Sequence, residues 1–71
     1  MSFGERLKYL RENKGLTQKE MAEILQISEV SYQRYEYNKS YPTYKKLIFI
    51  ADYFKVSLDF LTDRGDNPII K

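Results

Sequence analysis

Residues 17–37 read TQKEMAEILQISEVSYQRYEY, and this stretch decides the fold. Thr17 and Glu20 have the spacing of a capping box, so a helix is expected to begin just after Thr17. The apolar pattern of that helix breaks at Gln26-Ile27, and Ser28 then provides a second cap. The stretch therefore predicts two short helices joined by a tight turn. The other segments of the chain are expected to pack around these two helices.

The second of these helices has two different sides. At about 100° per residue, one side is mostly polar, and the other carries two rings that can pack inward. The polar side holds Glu29, Val30, Gln33, Arg34 and Tyr37, and the other side holds Ser31, Tyr32, Tyr35 and Glu36. A short helix with a varied polar face, set at an angle on a partner helix, has the shape that enters a major groove. Periodicity alone fits the amphipathic helices of any small bundle equally well.

Caps elsewhere in the chain predict three further helices. Ser2, Thr43 and Ser57 are the expected caps of the first, fourth and fifth helices, and Gly15 is the expected left-handed residue after the first. The apolar positions of these helices are Phe3, Leu7, Leu10, Leu47, Ile48, Ile50, Ala51, Phe54, Val56 and Leu61. Because no strand pattern, repeat or linker is present, we predict one all-α domain over residues 1–63 and a tail over residues 64–71.

The composition argues against several classes of protein. The sequence has no Cys and no His, which removes disulfides, thiolate metal sites and the commonest general base. No Gly-rich phosphate loop follows a strand. We therefore expect no enzyme, no metal and no small-molecule cofactor. The start of the chain lacks the pattern of a signal peptide, and no apolar run approaches the roughly 20 residues of a membrane span, so we expect a cytoplasmic protein without a membrane partner.

The charges are unevenly distributed along the chain. Residues 1–46 contain 9 Lys and Arg against 6 Asp and Glu, a balance of +3, whereas residues 47–71 contain 3 against 4, a balance of −1. The basic excess coincides with the two short helices, which gives weak support for a face that contacts nucleic acid.

The order and spacing of these segments resemble the Cro/cI-type repressors of phages, the xenobiotic-response-element class of bacterial helix-turn-helix regulators. The resemblance covers nearly the whole chain, from Phe3 to Leu61. The matching residues are Arg6-Leu7, Leu10-Arg11, Leu16-Thr17-Gln18, Glu20-Met21-Ala22, Leu25, Ile27-Ser28, Arg34-Tyr35-Glu36, Pro42-Thr43, Leu47, Ala51 and Val56-Ser57-Leu58-Asp59-Phe60-Leu61. The resemblance implies a compact five-helix lambda-repressor-like DNA-binding domain, with the helix-turn-helix at helices 2 and 3.

Three residues depart from the family pattern. Gln26 stands where a turn Gly is usual, and if its φ is positive it costs about 1 kcal/mol there. Tyr32 stands where a smaller aliphatic residue is usual, so the core must accommodate a ring. Asn38 stands where Gly commonly ends the recognition helix, and Asn is the next best residue for a left-handed cap.

The resemblance also implies which residues contact DNA. The residues expected to contact base edges are Glu29, Val30, Gln33 and Arg34. The residues expected to contact the DNA backbone are Gln18, Lys19, Ser28, Ser31, Tyr37, Lys39 and Tyr41. The alternatives are a solvated Gln18, lysines that are only solvated surface residues, and tyrosines that only pack between the loop and helix four.

The family often has an Arg in helix one that faces a Glu at the end of helix three, and Arg11 and Glu36 occupy those positions here. A partly buried bidentate pair would set the angle of the recognition helix, although desolvation can offset its Coulomb gain. Two unpaired surface charges are the alternative.

The implied function is sequence-specific transcriptional regulation in a bacterium or phage. We expect a repressor that occupies a palindromic operator in double-stranded DNA through the recognition helix, residues 28–37. The alternative is a protein-interaction module of the same fold, such as an antitoxin or adaptor. Family members usually bind as homodimers, and the apolar residues available for pairing near the C-terminus are Phe60, Leu61, Ile69 and Ile70.

Overall fold

A computed structural model of the chain describes residues 1–62, which form five helices and no strand. They are α1 (Phe3–Asn13), α2 (Gln18–Leu25), α3 (Glu29–Glu36), α4 (Tyr44–Phe54) and α5 (Leu58–Leu61). The predicted all-α, five-helix fold is thereby confirmed. The predicted domain end at residue 63 and the predicted tail over residues 64–71 lie outside the described residues. No helix within residues 1–62 is long and apolar enough to cross a membrane.

Every helix begins at a hydroxyl side chain that caps it, as the sequence predicts. In each case the side-chain oxygen accepts a hydrogen bond from the backbone N–H three residues on, which satisfies one of the free amides of the first turn. The five caps are Ser2, Thr17, Ser28, Thr43 and Ser57. Ser2 with Glu5, and Thr17 with Glu20, form complete capping boxes.

The turns between the helices use the left-handed backbone region. Gly15 has a φ of 70°, and Gln26 and Asn38 have φ values of 58° and 59°. All three residues expected in the left-handed region therefore adopt it, including the two that replace the family's Gly. Lys55 ends α4 with a φ of 57°, which the sequence analysis did not anticipate.

The core lies between α3 and the helices around it. α3 packs against both α1 and α2, and α5 packs against α1 and α4. Tyr32 is completely buried and Tyr35 is nearly so, so the core does accommodate the ring of Tyr32. Ser31, which the periodicity assigned to the same inner side, is exposed. The buried stripe spans only about 100° around the helix, from Tyr35 to Glu36, and Ser31 lies about 40° outside it.

The expected dimerisation residues do not all reach the surface. Leu61 is 0% exposed, so its assignment to an intersubunit contact is wrong, since its side chain is used inside the domain. Phe60 is partly buried, and the Arg6 guanidinium carbon lies 4.0 Å from the centre of its ring. Ile69 and Ile70 lie outside the described residues.

Candidate nucleic-acid interface

The outer side of α3 carries a mixed set of exposed side chains. Glu29, Val30 and Arg34 are exposed, Val30 to 66%. Eight residues make this helix about 12 Å long at 1.5 Å per residue, which is close to the width of about 12 Å of a major groove. The outer side of α3 therefore presents a carboxylate, an apolar group and a guanidinium group within the width of one major groove.

Gln33, the fourth residue expected to contact bases, is partly buried. Its Nε2 donates to Gln18 Oε1 at 3.2 Å and to Glu29 Oε2 at 3.5 Å. Gln18 in turn donates from Nε2 to Glu36 Oε1 at 3.0 Å. Gln33 and Gln18 therefore form a chain of side-chain amides that connects the outer side of α3 to the start of α2 and to the buried Glu36.

The residues expected to contact the DNA backbone lie at both ends of α3. At its start, Ser28 and Ser31 are exposed, and their hydroxyls are 2.9 Å apart. After the end of α3, the side chains of Tyr37 and Tyr41 are 62% and 65% exposed. The centre of the Tyr41 ring lies 5.8 Å from the centre of the Phe3 ring.

Two exposed lysines complete this set. Lys39 follows α3, and its backbone N–H donates to Arg34 O at 2.8 Å. Lys19 is exposed in the first turn of α2, next to Gln18. Cationic side chains are therefore available after the end of α3 and at the start of α2.

A buried carboxylate anchors the inner side of α3. Arg11 Nε donates to Glu36 Oε2 at 2.6 Å, and Arg11 Nη2 donates to Glu36 Oε1 at 3.2 Å. The Glu36 side chain is only 1% exposed and that of Arg11 is 9% exposed. Tyr32 Oη also donates to Glu36 Oε2 at 2.5 Å. With the contact from Gln18, Glu36 accepts four hydrogen bonds from three helices, and these bonds fix the end of α3 against α1 and α2.

The electrostatics of this cluster keep Glu36 ionised. Burial by itself would raise the pKa of Glu36, but hydrogen bonds from Arg11, Tyr32 and Gln18 together lower it below its usual range. The hydrogen bond to Glu36 raises the pKa of Arg11. Burial, followed by the contact with Glu36, raises the pKa of Tyr32. The cluster is therefore a charged pair with a neutral phenol donor at neutral pH.

A family model described as helix-turn-helix matches residues 7–61. The chain belongs to the Cro/cI-type helix-turn-helix family. The matched range contains all of α2, the turn and α3, and most of the helices that support them.

Three relatives illustrate the family. An uncharacterized HTH-type transcriptional regulator of Bacillus subtilis, YqaE, is 46% identical over 65 residues, or 92% of this chain and 56% of its own length. The cryptic phage CTXphi transcriptional repressor RstR of Vibrio cholerae is 39% identical over 64 residues, or 90% and 57%. The HTH-type transcriptional activator BcrR of Enterococcus faecalis is 39% identical over 61 residues, or 86% and 30%. The chain thus spans about half the length, or less, of these curated relatives.

Two features of this helix-turn-helix were missed by the sequence analysis. The Tyr32 ring was expected only as a bulky departure from the family pattern, yet its hydroxyl is a partner of Glu36. The spacing offered a signal, because residues four apart are neighbours on one side of a helix. The phosphate contact expected of Gln18 stays a prediction, but the sequence did not identify its partners in α3: its amide connects Glu36 to Gln33, a contact between two helices that local spacing does not reveal.

Proposed function

We propose that the protein is a sequence-specific DNA-binding regulator that inserts α3 into the major groove. The observation that carries this proposal is the contrast between the two sides of α3. The inner side is fixed by the buried Arg11–Glu36 pair, while Glu29, Val30 and Arg34 remain exposed on the outer side. A rigidly held helix with free polar groups is suited to contacting base edges, since misplaced hydrogen bonds give no discrimination.

Four side chains on the outer side of α3 each suit one base. Arg34 can donate two hydrogen bonds to O6 and N7 of guanine, Glu29 can accept from the amino group of cytosine, and Val30 can contact the methyl group of thymine. Gln33 can present its amide to adenine if DNA replaces its contact with Gln18. These four residues form the proposed base-contacting set.

The flanking residues supply the proposed backbone contacts. Lys19 and Lys39 are exposed cations, and the hydroxyls of Ser28, Ser31, Tyr37 and Tyr41 can donate to phosphate oxygens. Gln18 Nε2 donates one hydrogen to Glu36 and carries a second that can be donated to a phosphate oxygen. The first turn of α2 also provides backbone amides, which favour an anion at a helix N-terminus.

The regulator is proposed to act in the cytoplasm as a homodimer on a palindromic operator. A helix of about 12 Å spans only a few base pairs at about 3.4 Å each, so one copy contacts too few bases for specificity. Two copies can contact half-sites about one turn apart. A protein bound to such an operator would block RNA polymerase and so repress transcription.

Two matched substitutions test this proposal. Arg34→Ala should weaken binding to the operator by about 1–3 kcal/mol and relax the preference at one or two base pairs per half-site. Lys39→Ala should weaken binding to all sequences about equally and reduce the slope of log K against log salt by about one per protomer. The measurement is a titration of both variants against operator, point-changed operators and random DNA at several salt concentrations. A uniform loss in Arg34→Ala, with base preference intact, would make Arg34 a phosphate contact.

A second candidate function is a protein-interaction module, such as an antitoxin or adaptor. The observation that favours it is the exposure of Val30 and Tyr37, at 66% and 62%, on the same side of α3, because exposed apolar groups also suit a protein partner. Salt distinguishes the two functions. DNA binding weakens steeply with added salt, whereas an apolar protein interface changes little.

A further inference from the structure

Asn38, the residue that replaces the family's Gly after α3, makes two contacts with the start of α1. Its Oδ1 accepts a hydrogen bond from the Gly4 backbone N–H at 3.0 Å, and its Nδ2 donates to Ser2 Oγ at 3.0 Å. We call this pair of contacts the Asn38 bridge. It joins residues that are 34 and 36 positions apart in the chain, so it forms only when α3 is docked on α1.

The Asn38 bridge lies where the two backbones are in direct contact. A Cβ atom built on Gly4 would lie 2.2 Å from the Glu36 carbonyl oxygen and 2.8 Å from that of Tyr35. Only a glycine allows α1 and the last turn of α3 to approach this closely. The contact excludes solvent from Gly4, which is buried.

The bridge satisfies an amide that α1 cannot satisfy by itself. The first four N–H groups of a helix have no acceptor in the preceding turn. In α1 the Ser2 hydroxyl accepts from Glu5 N and the Ser2 carbonyl accepts from Arg6 N, while Gly4 N donates to Asn38. A glycine at position 38 would adopt the left-handed backbone more easily, but it would leave this buried amide without its acceptor.

We propose that Asn38 is a positioning residue for DNA recognition, because its side chain fixes the end of α3 on the start of α1. The Arg11–Glu36 pair is the second attachment between the same helices. Gly4 and Arg11 are seven positions apart in α1, almost two full turns, so they lie on one side of it and about 10 Å apart along its axis. Both attachments hold the end of α3, so loss of the Asn38 bridge removes the one nearer the start of α1 and loosens the placement of α3 on that helix. This role rests on the proposed function, since it matters through the placement of Arg34 on base edges.

The first test is made without DNA, by NMR on the full chain. Asn38→Gly should leave α1 and α3 formed, but it should speed hydrogen exchange at the Gly4 amide by about tenfold or more, because that group loses its acceptor. Residual dipolar couplings should show a changed or averaged orientation of α3 relative to α1. Asn38→Asp should restore both readouts, since a carboxylate oxygen accepts from Gly4 N and the Ser2 hydroxyl can donate to the other oxygen.

Lys55→Gly is the matched control. Lys55 has nearly the same left-handed backbone, with a φ of 57°, but it is exposed and ends α4 rather than α3. Glycine there should relieve the same conformational cost, raise Tm by a few degrees, and leave Gly4 exchange and the orientation of α3 unchanged.

The second test uses the operator, at a temperature where all variants are folded. Asn38→Gly should raise Kd for the operator about tenfold but change Kd for random DNA less than about twofold, because misplacement of α3 affects base contacts more than phosphate contacts. Asn38→Asp adds a negative charge beside Lys39, so Kd should rise on both DNAs, but the ratio of the two Kd values should stay within about threefold of wild type because its bridge is retained.

Several results would overturn the positioning role. Unchanged exchange at Gly4 and unchanged dipolar couplings in Asn38→Gly would do so, as would equal losses on operator and random DNA, or failure of Asn38→Asp to restore the ratio of operator to random-DNA affinity. If the wild-type chain selects no DNA sequence, the proposed function fails, and the DNA-free comparison still decides whether Asn38 positions α3.

Discussion

Replacing Arg11 with Met would leave a buried carboxylate at the base of the recognition helix with half of its hydrogen bonds. Glu36 accepts four hydrogen bonds, of which Arg11 supplies two and Tyr32 and Gln18 supply one each. Its side chain is 1% exposed, so an unpaired charge at this position is poorly solvated. Arg11 also donates from Nη1 to Leu16 O at 2.8 Å, and that contact is lost as well.

The expected loss is a large part of the stability of the domain. Removing one partner of a buried ion pair costs about 3–5 kcal/mol, and the two remaining donors place Arg11→Met at about 3–4 kcal/mol within that range. At about 0.05–0.15 kcal/mol per residue, a chain of 71 residues has a free energy of unfolding of about 4–11 kcal/mol. Subtracting the loss leaves a free energy of unfolding of about 0–8 kcal/mol. We therefore expect a much less stable protein, which stays folded if wild type lies above the low end of its range. Operator binding should weaken because α3 loses an attachment.

A change of sign at Glu36 makes the test specific. In wild type, Glu36→Gln should lower the free energy of unfolding by about 1–3 kcal/mol, because Arg11 loses its charged acceptor. In Arg11→Met the same substitution should raise it, since it removes an unpaired buried charge while the amide oxygen still accepts from Tyr32. The assay is urea denaturation of the two single variants, the double variant and wild type at pH 7. Glu23→Gln, at an exposed position of α2, is the control and should change stability by less than about 0.5 kcal/mol. Additive effects of the two substitutions would refute a coupled buried pair.

Three further predictions concern acid, close packing and the turn. Because hydrogen bonds outweigh burial and lower the pKa of Glu36 in the folded state, the unfolded chain takes up a proton first, and stability should fall as the pH drops below about 4.3; chemical denaturation from pH 6 to 3 should show a smaller decrease in Glu36→Gln. Gly4→Ala should destabilise by about 3 kcal/mol or more, the upper end of the cost of overpacking, because the added Cβ would lie 2.2 Å from a backbone carbonyl oxygen; Gly15→Ala, whose Cβ would meet no atom within 4 Å beyond its chain neighbours, should cost only about 1–2 kcal/mol for its left-handed backbone, and equal thermal shifts would contradict the close approach. Gln26→Gly should stabilise by about 1 kcal/mol, since its φ is 58°, and a lower Tm would show that the Gln26 side chain contributes contacts of its own.

Local chemistry accounts for the parts of this fold that the sequence predicts. A cap such as Thr17 acts on an amide three residues away, and the left-handed backbone of Gln26 and Asn38 follows from where two helices must end. These effects depend on near neighbours in the chain, so spacing and residue type identify them. The outer side of α3 is predictable for the same reason, because helical periodicity separates Val30 and Arg34 from the buried Tyr35.

Contacts between helices account for what the sequence does not predict. The distance from Gln18 to Glu36, and the insertion of Asn38 at the start of α1, depend on how α3 lies across its neighbours. Leu61 has an apolar side chain that would suit an interface between subunits, but the packing of α5 buries it completely. Periodicity indicates which side of a helix is apolar, but it does not indicate which neighbouring helix covers that side.

Selection of binding sites from a random pool of double-stranded DNA tests the central claim most directly. The wild-type chain and Arg34→Ala are carried through the same rounds at the same salt concentration, and the enriched pools are sequenced. The account predicts that wild type enriches a site with two related half-sites about one helical turn apart. It also predicts that Arg34→Ala enriches the same site with the preference lost at one or two positions of each half. A wild-type pool without enrichment, or identical sites from both proteins, would contradict the claim that the outer side of α3 recognises bases.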